Sequence, residues 1–563
     1  MKGLVFALAV ALAALLTYSQ FFGMQLAEFD FVTKLVSHSG TGLDNILGIF
    51  TQPDHFYMTG YMGYRPMTGL VWWAVFILGG FNMVAFHALN FTLHAVNGVL
   101  VFILARKLMA NNDRKGWYSL LAGLIFVVNP THINTVVFAS RLPELLVAFF
   151  MLAALLSLMK YLEGGRKPYL LASFLFSSAG IFSKEIGSLI PFVLFIYLVI
   201  FTKQRKPRKR LYDAFRVCLP YFAVIPAYIA MMLISTGRIG VYSTMPQWMP
   251  DLVVIEFFKY LLYPASFLGD GAFLWLRAFL SAMGGVALFI AAILIAAYAA
   301  RKLSGDEKSR PIAFALCWLL AFMLAFVAVG YLAPWYAYAA VVPFSLLISM
   351  ALRRWLGSGG ISPKLGVILV FVLAITIALF SPIMMDYPQA RKAGDMVQSI
   401  YSQTLEKAGN LPDGSLIFLV NYPEYMKYSV NGFNNSVIML NEASVQAMLD
   451  FACPRKGLES FSLVSSLILA DPEGLRMGYK ENGCALIATN SDTGTARIYP
   501  PYKWKGERNE TKGIMLHPSR GVSSEEIAIE FPEGIEAFAF IFDGKDIHSF
   551  GISGSCDWHN STA

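Results

Sequence analysis

Two charged couplets interrupt the most apolar parts of this sequence: Arg141 with Glu144 in NPTHINTVVFASRLPELL, and Lys184 with Glu185 in GIFSKEIGSLIP. Ionisable side chains beside long apolar runs are costly to keep there and mark function by default. Lys34, Arg65, Arg238, Lys259 and Arg277 occupy comparable positions. Two chemistries fit the couplets. Either each is a local ion pair that caps helix ends, or several cations converge on an anion such as a lipid phosphate. Arg suits the second task because its planar fork matches two oxygens.

The acidic candidates Glu28, Asp30, Asp44 and Asp54 precede these couplets. Asp30 stands between two Phe in AEFDF, and a carboxylate fixed among apolar neighbours at a membrane surface can serve as a general base. The plainer alternative is that it interacts with a nearby helix start. Glu28-x-Asp30 has the spacing of an Asp-x-Asp sugar-nucleotide motif without its second Asp. His38 and His55 share this region, but no His/Asp/Glu spacing forms a metal motif.

The elements that must position these groups follow from composition. Of 563 residues, 56% are hydrophobic and 14% charged, against about 25% charged in a soluble domain. That excludes a cytosolic enzyme, a disordered scaffold and a secreted disulfide framework. The apolar residues cluster in blocks of about 20, enough to cross a bilayer as a helix. About eleven such spans are expected, near 4–23, 83–105, 118–137, 142–159, 169–183, 186–202, 214–235, 272–300, 311–331, 335–352 and 365–383. Basic residues gather at every second junction: Arg106 to Lys115, Lys160 to Lys167, Lys203 to Arg210, Arg301 to Arg310, and Arg353 to Lys364. Short cytoplasmic loops carry such an excess, so these junctions and the N-terminus are placed inside. The seven isolated cations, and everything after residue 383, then fall outside. This use of Lys and Arg argues for a lipid bilayer and against nucleic acid as partner.

The first 23 residues are expected to stay as a span, because TYSQFFGMQ makes a poor signal-peptidase site. Residues 24–82 and 236–271 read as long external loops with helices along the interface, where Trp and Tyr are favoured. From residue 384 the pattern changes to a helix ending at Gly409-Asn410, then short runs such as SLIFLVN, CALIATN and AFAFIF between turn residues. The expected organisation is an all-α membrane domain, 1–383, followed by an extracytoplasmic soluble α/β domain, 384–563.

Three segments together resemble a known pattern. GYRPMTGLVWW with FHALNFTLHAVNGVLVFILARKL, NPTHINTVVFASRLPELL, and AGIFSKEIGSLIPFVLFIYLV are similar in order and spacing to motifs of the tetratricopeptide-containing O-mannosyltransferases and their prokaryotic relatives. These are integral membrane glycosyltransferases of the GT-C class, and the likeness covers roughly residues 1–350. It implies a polyprenyl- or dolichyl-phosphate-linked sugar donor, an external active site and a catalytic Asp in the first external loop, which by motif position is Asp30. Arg65, Arg141, Lys184 and Arg238 become candidates for the donor phosphate, with Glu28, Tyr64, His132, Glu144 and Glu185 in support. The relatives often show Asp-Asp where this chain has Asp30-Phe31. Asn129 and Asn134 replace their first His and their Glu, and no tetratricopeptide array is present. With Arg and Lys neutralising the phosphate, no obligatory divalent metal or other cofactor is expected. The acceptor is a hydroxyl of a protein, lipid or glycan. The alternatives are a lipid-linked sugar flippase or transporter, a non-catalytic scaffold, and an oligosaccharyltransferase using a diphosphate-linked donor.

Overall fold

The computed structural model describes residues 2–22, 43–51, 54–55, 62–80, 83–109, 115–202, 206–237, 250–261, 309–330, 332–356, 382–430, 433–438 and 442–469. It also describes 477–482, 485–490, 515–518, 527–530, 536–542, 545–552 and the single positions 368, 372 and 440. The described residues divide between two compact units, one holding most of the chain up to Met384 and the other most of the chain from Met385 to the C-terminus.

Among the described residues, four helices of the first unit are long and apolar enough to cross a bilayer: Met83–Leu108, Ala139–Gly164, Arg208–Thr236 and Arg310–Val329. Shorter apolar helices run over Lys2–Tyr18, Pro66–Gly79, Gly116–Val127 and Glu185–Phe201. Together with the composition, they make this a membrane protein. Leu4, Leu8, Leu12, Leu171 and Leu175 lie exposed on their helices, as side chains turned toward lipid do.

The helices Lys2–Tyr18, Met83–Leu108 and Lys115–Val127 pack against one another, closely enough to require a residue without a side chain. A Cβ on Gly98 would stand 2.2 Å from Val127 Cγ1 and 3.0 Å from Val10 Cγ1. Polar groups tie the centre together. His94 meets the Tyr338 hydroxyl at 2.9 Å through Nδ1 and the Val127 carbonyl at 3.1 Å through Nε2. A carbonyl only accepts, so Nε2 carries the proton and Nδ1 accepts from Tyr338. The same hydroxyl accepts from Asn97 Nδ2 at 3.2 Å, and that amide also donates to the Leu145 carbonyl at 3.1 Å. One buried network thus crosses from Met83–Leu108 to Leu142–Gly164 and to the residues before Val341–Leu356.

Several expected spans differ in their ends. The span read at 118–137 stops at Val127, because Asn129-Pro130 breaks it. Proline disfavours α geometry in the residue before it, and Asn129 Oδ1 instead accepts from the Thr131 N–H at 3.0 Å. The chain goes on through 3-10 turns at Pro130–His132 and Ala139–Arg141, with one α turn, Ile133–Val136, between them. The span read at 335–352 begins as a 3-10 turn, Pro334–Ala337, and is α-helical only from Val341 to Leu356. Helices occupy both presumed loops, at Leu43–Thr51, Pro66–Gly79 and Pro250–Leu261. The span 272–300, and 365–383 apart from Ile368, Val372, Pro382 and Ile383, lie outside the described residues.

In the second unit the helix Pro382–Gly409 leads to the long strand Leu416–Val430. That strand pairs in parallel with Ala537–Phe542 and with Glu459–Leu469, and antiparallel with Phe433–Ile438. Ile547–Ile552 closes the sheet against Ala537–Phe542. The crossover from Leu416–Val430 to Glu459–Leu469 contains the helix Glu442–Ala452, as a parallel pairing requires. A second sheet has the order Met477–Asn482, Ala485–Asn490, Ile527–Glu530, Met515–Pro518.

Candidate active site

The two motifs GYRPMT and SKE lie far apart in sequence and dock on each other. Pro66 opens the helix Pro66–Gly79 at its first turn, where a missing N–H costs nothing. Two groups of that turn instead bond the chain at the end of Lys167–Ile181: Met67 N–H donates to the Phe182 carbonyl at 3.1 Å and Thr68 Oγ1 to the Ser183 carbonyl at 2.9 Å. Tyr64 is buried against Phe182 and Tyr228 with ring centroids at 6.3 and 5.8 Å. Its hydroxyl donates to the Phe50 carbonyl at 2.9 Å, and its own carbonyl accepts from Tyr228 at 3.0 Å.

The charged residues then pair crosswise. Arg65 Nε and Nη2 donate to the two oxygens of Glu185 at 3.2 and 3.0 Å, a bidentate fork. Lys184 Nζ donates to Glu144 Oε1 in a pair with side chains only 5% and 4% exposed. Glu144 is thus held by a residue 40 positions on and Glu185 by one 120 positions back, not by the neighbours Arg141 and Lys184 that local ion pairing would use. This corrects the local-capping alternative. Lys184 is extended, with φ −168 and ψ 154, and Glu185 begins a 3-10 turn. Successive side chains on extended backbone point to opposite sides, so the two adjacent charges diverge to different partners. Burial lowers the pKa of the Lys184 ammonium, while Glu144 opposes that shift.

The turn that holds them is seated backbone to backbone. A Cβ on Gly187 would stand 2.0 Å from the Gly180 carbonyl oxygen and 2.9 Å from Ile181 Cα, so only glycine fits there.

Two aromatic residues complete the cluster. Arg141 lies over Trp335 with its guanidinium carbon 3.9 Å from the ring centroid, and Lys184 Nζ lies 4.2 Å from that of Tyr336. Sequence reasoning missed both rings because they fall in what reads as the start of a membrane span. The clue was PWYAY, where a proline precedes three aromatic residues within five positions.

Tyr64, Arg65, Arg141, Glu144, Lys184 and Glu185 therefore belong to one assembly of contacts. His132 belongs to an adjoining one: its ring packs against Phe126, Tyr338 and His94 with centroids at 4.7, 4.4 and 5.2 Å. Glu28, Asp30, Lys34, His38, Arg238 and Arg277 lie outside the described residues, and of Asn134 and Lys259 only the backbone is described. Among the described residues no group of His, Cys, Asp and Glu could hold a metal ion.

No protein-family model matches the chain. Ninety-seven residues are 35% identical to human Protein O-mannosyl-transferase TMTC3, and 100 residues are 33% identical to the mouse protein of that name. These stretches are 17% and 18% of this chain, and they span about a tenth (10%) of the length of each curated relative. The resemblance seen in the motifs thus recurs as identity with members of the O-mannosyltransferase group. Among solved structures, the oligosaccharyltransferase of Archaeoglobus fulgidus aligns with a TM-score of 0.41 at 14% identity, over 74% of this chain and 60% of that one. ArnT from Cupriavidus metallidurans, bound to undecaprenyl phosphate, aligns with a TM-score of 0.41 at 13% identity, over 83% of this chain and 86% of that one.

Proposed function

We propose that this protein is a membrane glycosyltransferase of the GT-C type that moves a sugar from a polyprenyl-phosphate donor to an acceptor hydroxyl on the non-cytoplasmic face. One observation carries this reading: three separated motifs converge, through Arg65–Glu185, Lys184–Glu144 and Arg141 on Trp335, on one group of cations, Arg65 and Lys184 buried and Arg141 half-buried. The identity with the O-mannosyl-transferases supports it.

In this reading the acceptor oxygen attacks the anomeric carbon as the bond from that carbon to the phosphate oxygen breaks. The phosphate leaves with both electrons of that bond as polyprenyl phosphate, and the acceptor proton passes to Asp30. Preformed cations facing the phosphate lower the barrier because charge develops there and water is excluded. Arg141 and Lys184, each backed by an aromatic face, are the groups that receive this charge, and Arg65 holds the turn that carries Lys184. Arg238 is a further candidate from the sequence.

The test is transfer by the purified protein from a panel of radiolabelled polyprenyl-phosphate sugars into a membrane extract, with Asp30→Asn alongside. General-base catalysis is worth about 10²–10⁴-fold, and a loss of that order is expected. Equal transfer by both proteins removes Asp30 as the base, and movement of the lipid across a vesicle without transfer replaces the enzyme by a flippase. A chelator leaves the rate unchanged; complete, reversible loss contradicts the metal-free reading.

A further inference from the structure

Two polar atoms at the ion cluster are left over. Glu144 has one oxygen on Lys184, while Oε2 is buried and has no hydrogen-bond partner among the described residues. The whole Glu144 residue is 4% exposed. Trp335, whose ring lies under Arg141, has a buried Nε1–H that likewise has none among them. Buried polar groups in native proteins are nearly always satisfied, and one that is not calls for an unseen water, ion or ligand.

The two orphans differ in kind. A carboxylate oxygen only accepts, and an indole N–H only donates. The charge of Glu144 is already balanced by Lys184, as that of Glu185 is by Arg65. What these atoms lack is therefore a neutral group that both gives and takes hydrogen bonds. Hydroxyls do so, and a sugar ring offers several close together.

We infer that Glu144 Oε2 and Trp335 Nε1 are hydroxyl contacts for the sugar of the lipid-linked donor, beside the cations that face its phosphate. This rests on the donor reading given above and goes beyond it. It assigns recognition of the sugar to a carboxylate that is not the catalytic base and to a ring outside the three motifs. Glu144 accepts from one sugar hydroxyl, and Trp335 donates to the oxygen of the same or a neighbouring one.

The experiment is equilibrium binding to the purified full chain in detergent, with bare undecaprenyl phosphate and with undecaprenyl-phosphate mannose, glucose and galactose. The unaltered chain is expected to bind at least one sugar ester more tightly than the bare phosphate. Glu144→Gln turns the free acceptor into a donor and removes a negative charge. Whatever its affinity for bare phosphate, it should lose roughly tenfold or more of the preference for the ester over that phosphate. Trp335→Phe keeps a ring under Arg141 and removes only the N–H, and should lose a few-fold of the same preference. Because Glu144→Gln also weakens a buried ion pair, Trp335→Phe and competition by methyl mannoside, methyl glucoside and methyl galactoside on the unaltered chain supply the answer if that variant does not fold. Equal weakening of both ligand types, or an unchanged preference in both variants, means water fills the two positions and overturns the inference while leaving the donor reading intact. Binding of neither ligand by the unaltered chain overturns the donor reading and the inference with it.

Discussion

Removing one partner of the Lys184–Glu144 pair should cost far more than removing both. The two side chains are 5% and 4% exposed, so Lys184→Met strands a carboxylate in the interior and Glu144→Leu strands an ammonium. Breaking a buried pair in this way costs about 3–5 kcal/mol, whereas replacing both members with apolar residues of similar volume is often neutral or stabilising. The double variant should therefore be more stable than either single one, with a coupling of about 3 kcal/mol or more. The molecule supplies its own control. Lys107 and Glu163 pair at 2.6 Å with side chains 30% and 60% exposed. Exposed pairs contribute about 0–1 kcal/mol whatever their distance, so the corresponding cycle there should show almost no coupling. Denaturant unfolding of the four proteins of each cycle in mild detergent, followed by near-ultraviolet circular dichroism, measures both. Additive losses at Lys184 and Glu144, or equal coupling at the two sites, refute the reasoning from burial.

Other outcomes derive from the docking of the two motifs. Arg65→Lys keeps the charge but not the fork that meets both oxygens of Glu185; it should lower transfer and thermal stability together, and wild-type values in both would remove Arg65 from its positioning role. Thr68→Val deletes a buried bond to the Ser183 carbonyl and should cost about 1–3 kcal/mol of stability, read by the same unfolding assay. Gly187→Ala drives a methyl group into the Gly180 carbonyl, so the turn bearing Lys184 must shift and expression of folded protein should fall sharply; an unaltered melting temperature would show the backbone contact to be looser than described.

How much was legible in the sequence varies with the physical origin of each feature. Long apolar helices such as Met83–Leu108 and Arg310–Val329 declare themselves by hydropathy, because every residue votes the same way. Ends are harder. Asn129-Pro130 broke a run that hydropathy joined, since one Asx turn outweighs the apolar residues around it. The candidate site was half visible: Arg65, Arg141, Glu144, Lys184 and Glu185 stood out as charges among apolar neighbours. Their pairing was not visible, because adjacency suggests Lys184 with Glu185 while extended backbone sends the two apart. Trp335 and Tyr336 were hidden for the opposite reason. Aromatic residues beside a membrane span are ordinary, and only their contact with Arg141 and Lys184 gives these two a purpose.

The crossed arrangement of charges also constrains descent. Glu185 owes its partner to a motif 120 positions earlier and Lys184 owes its own to one 40 positions earlier. None of these segments can drift without leaving a stranded charge in another. Across homologues, Arg65 and Glu185 should appear or vanish as a couple, and so should Lys184 and Glu144. The three motifs should therefore be inherited as one object.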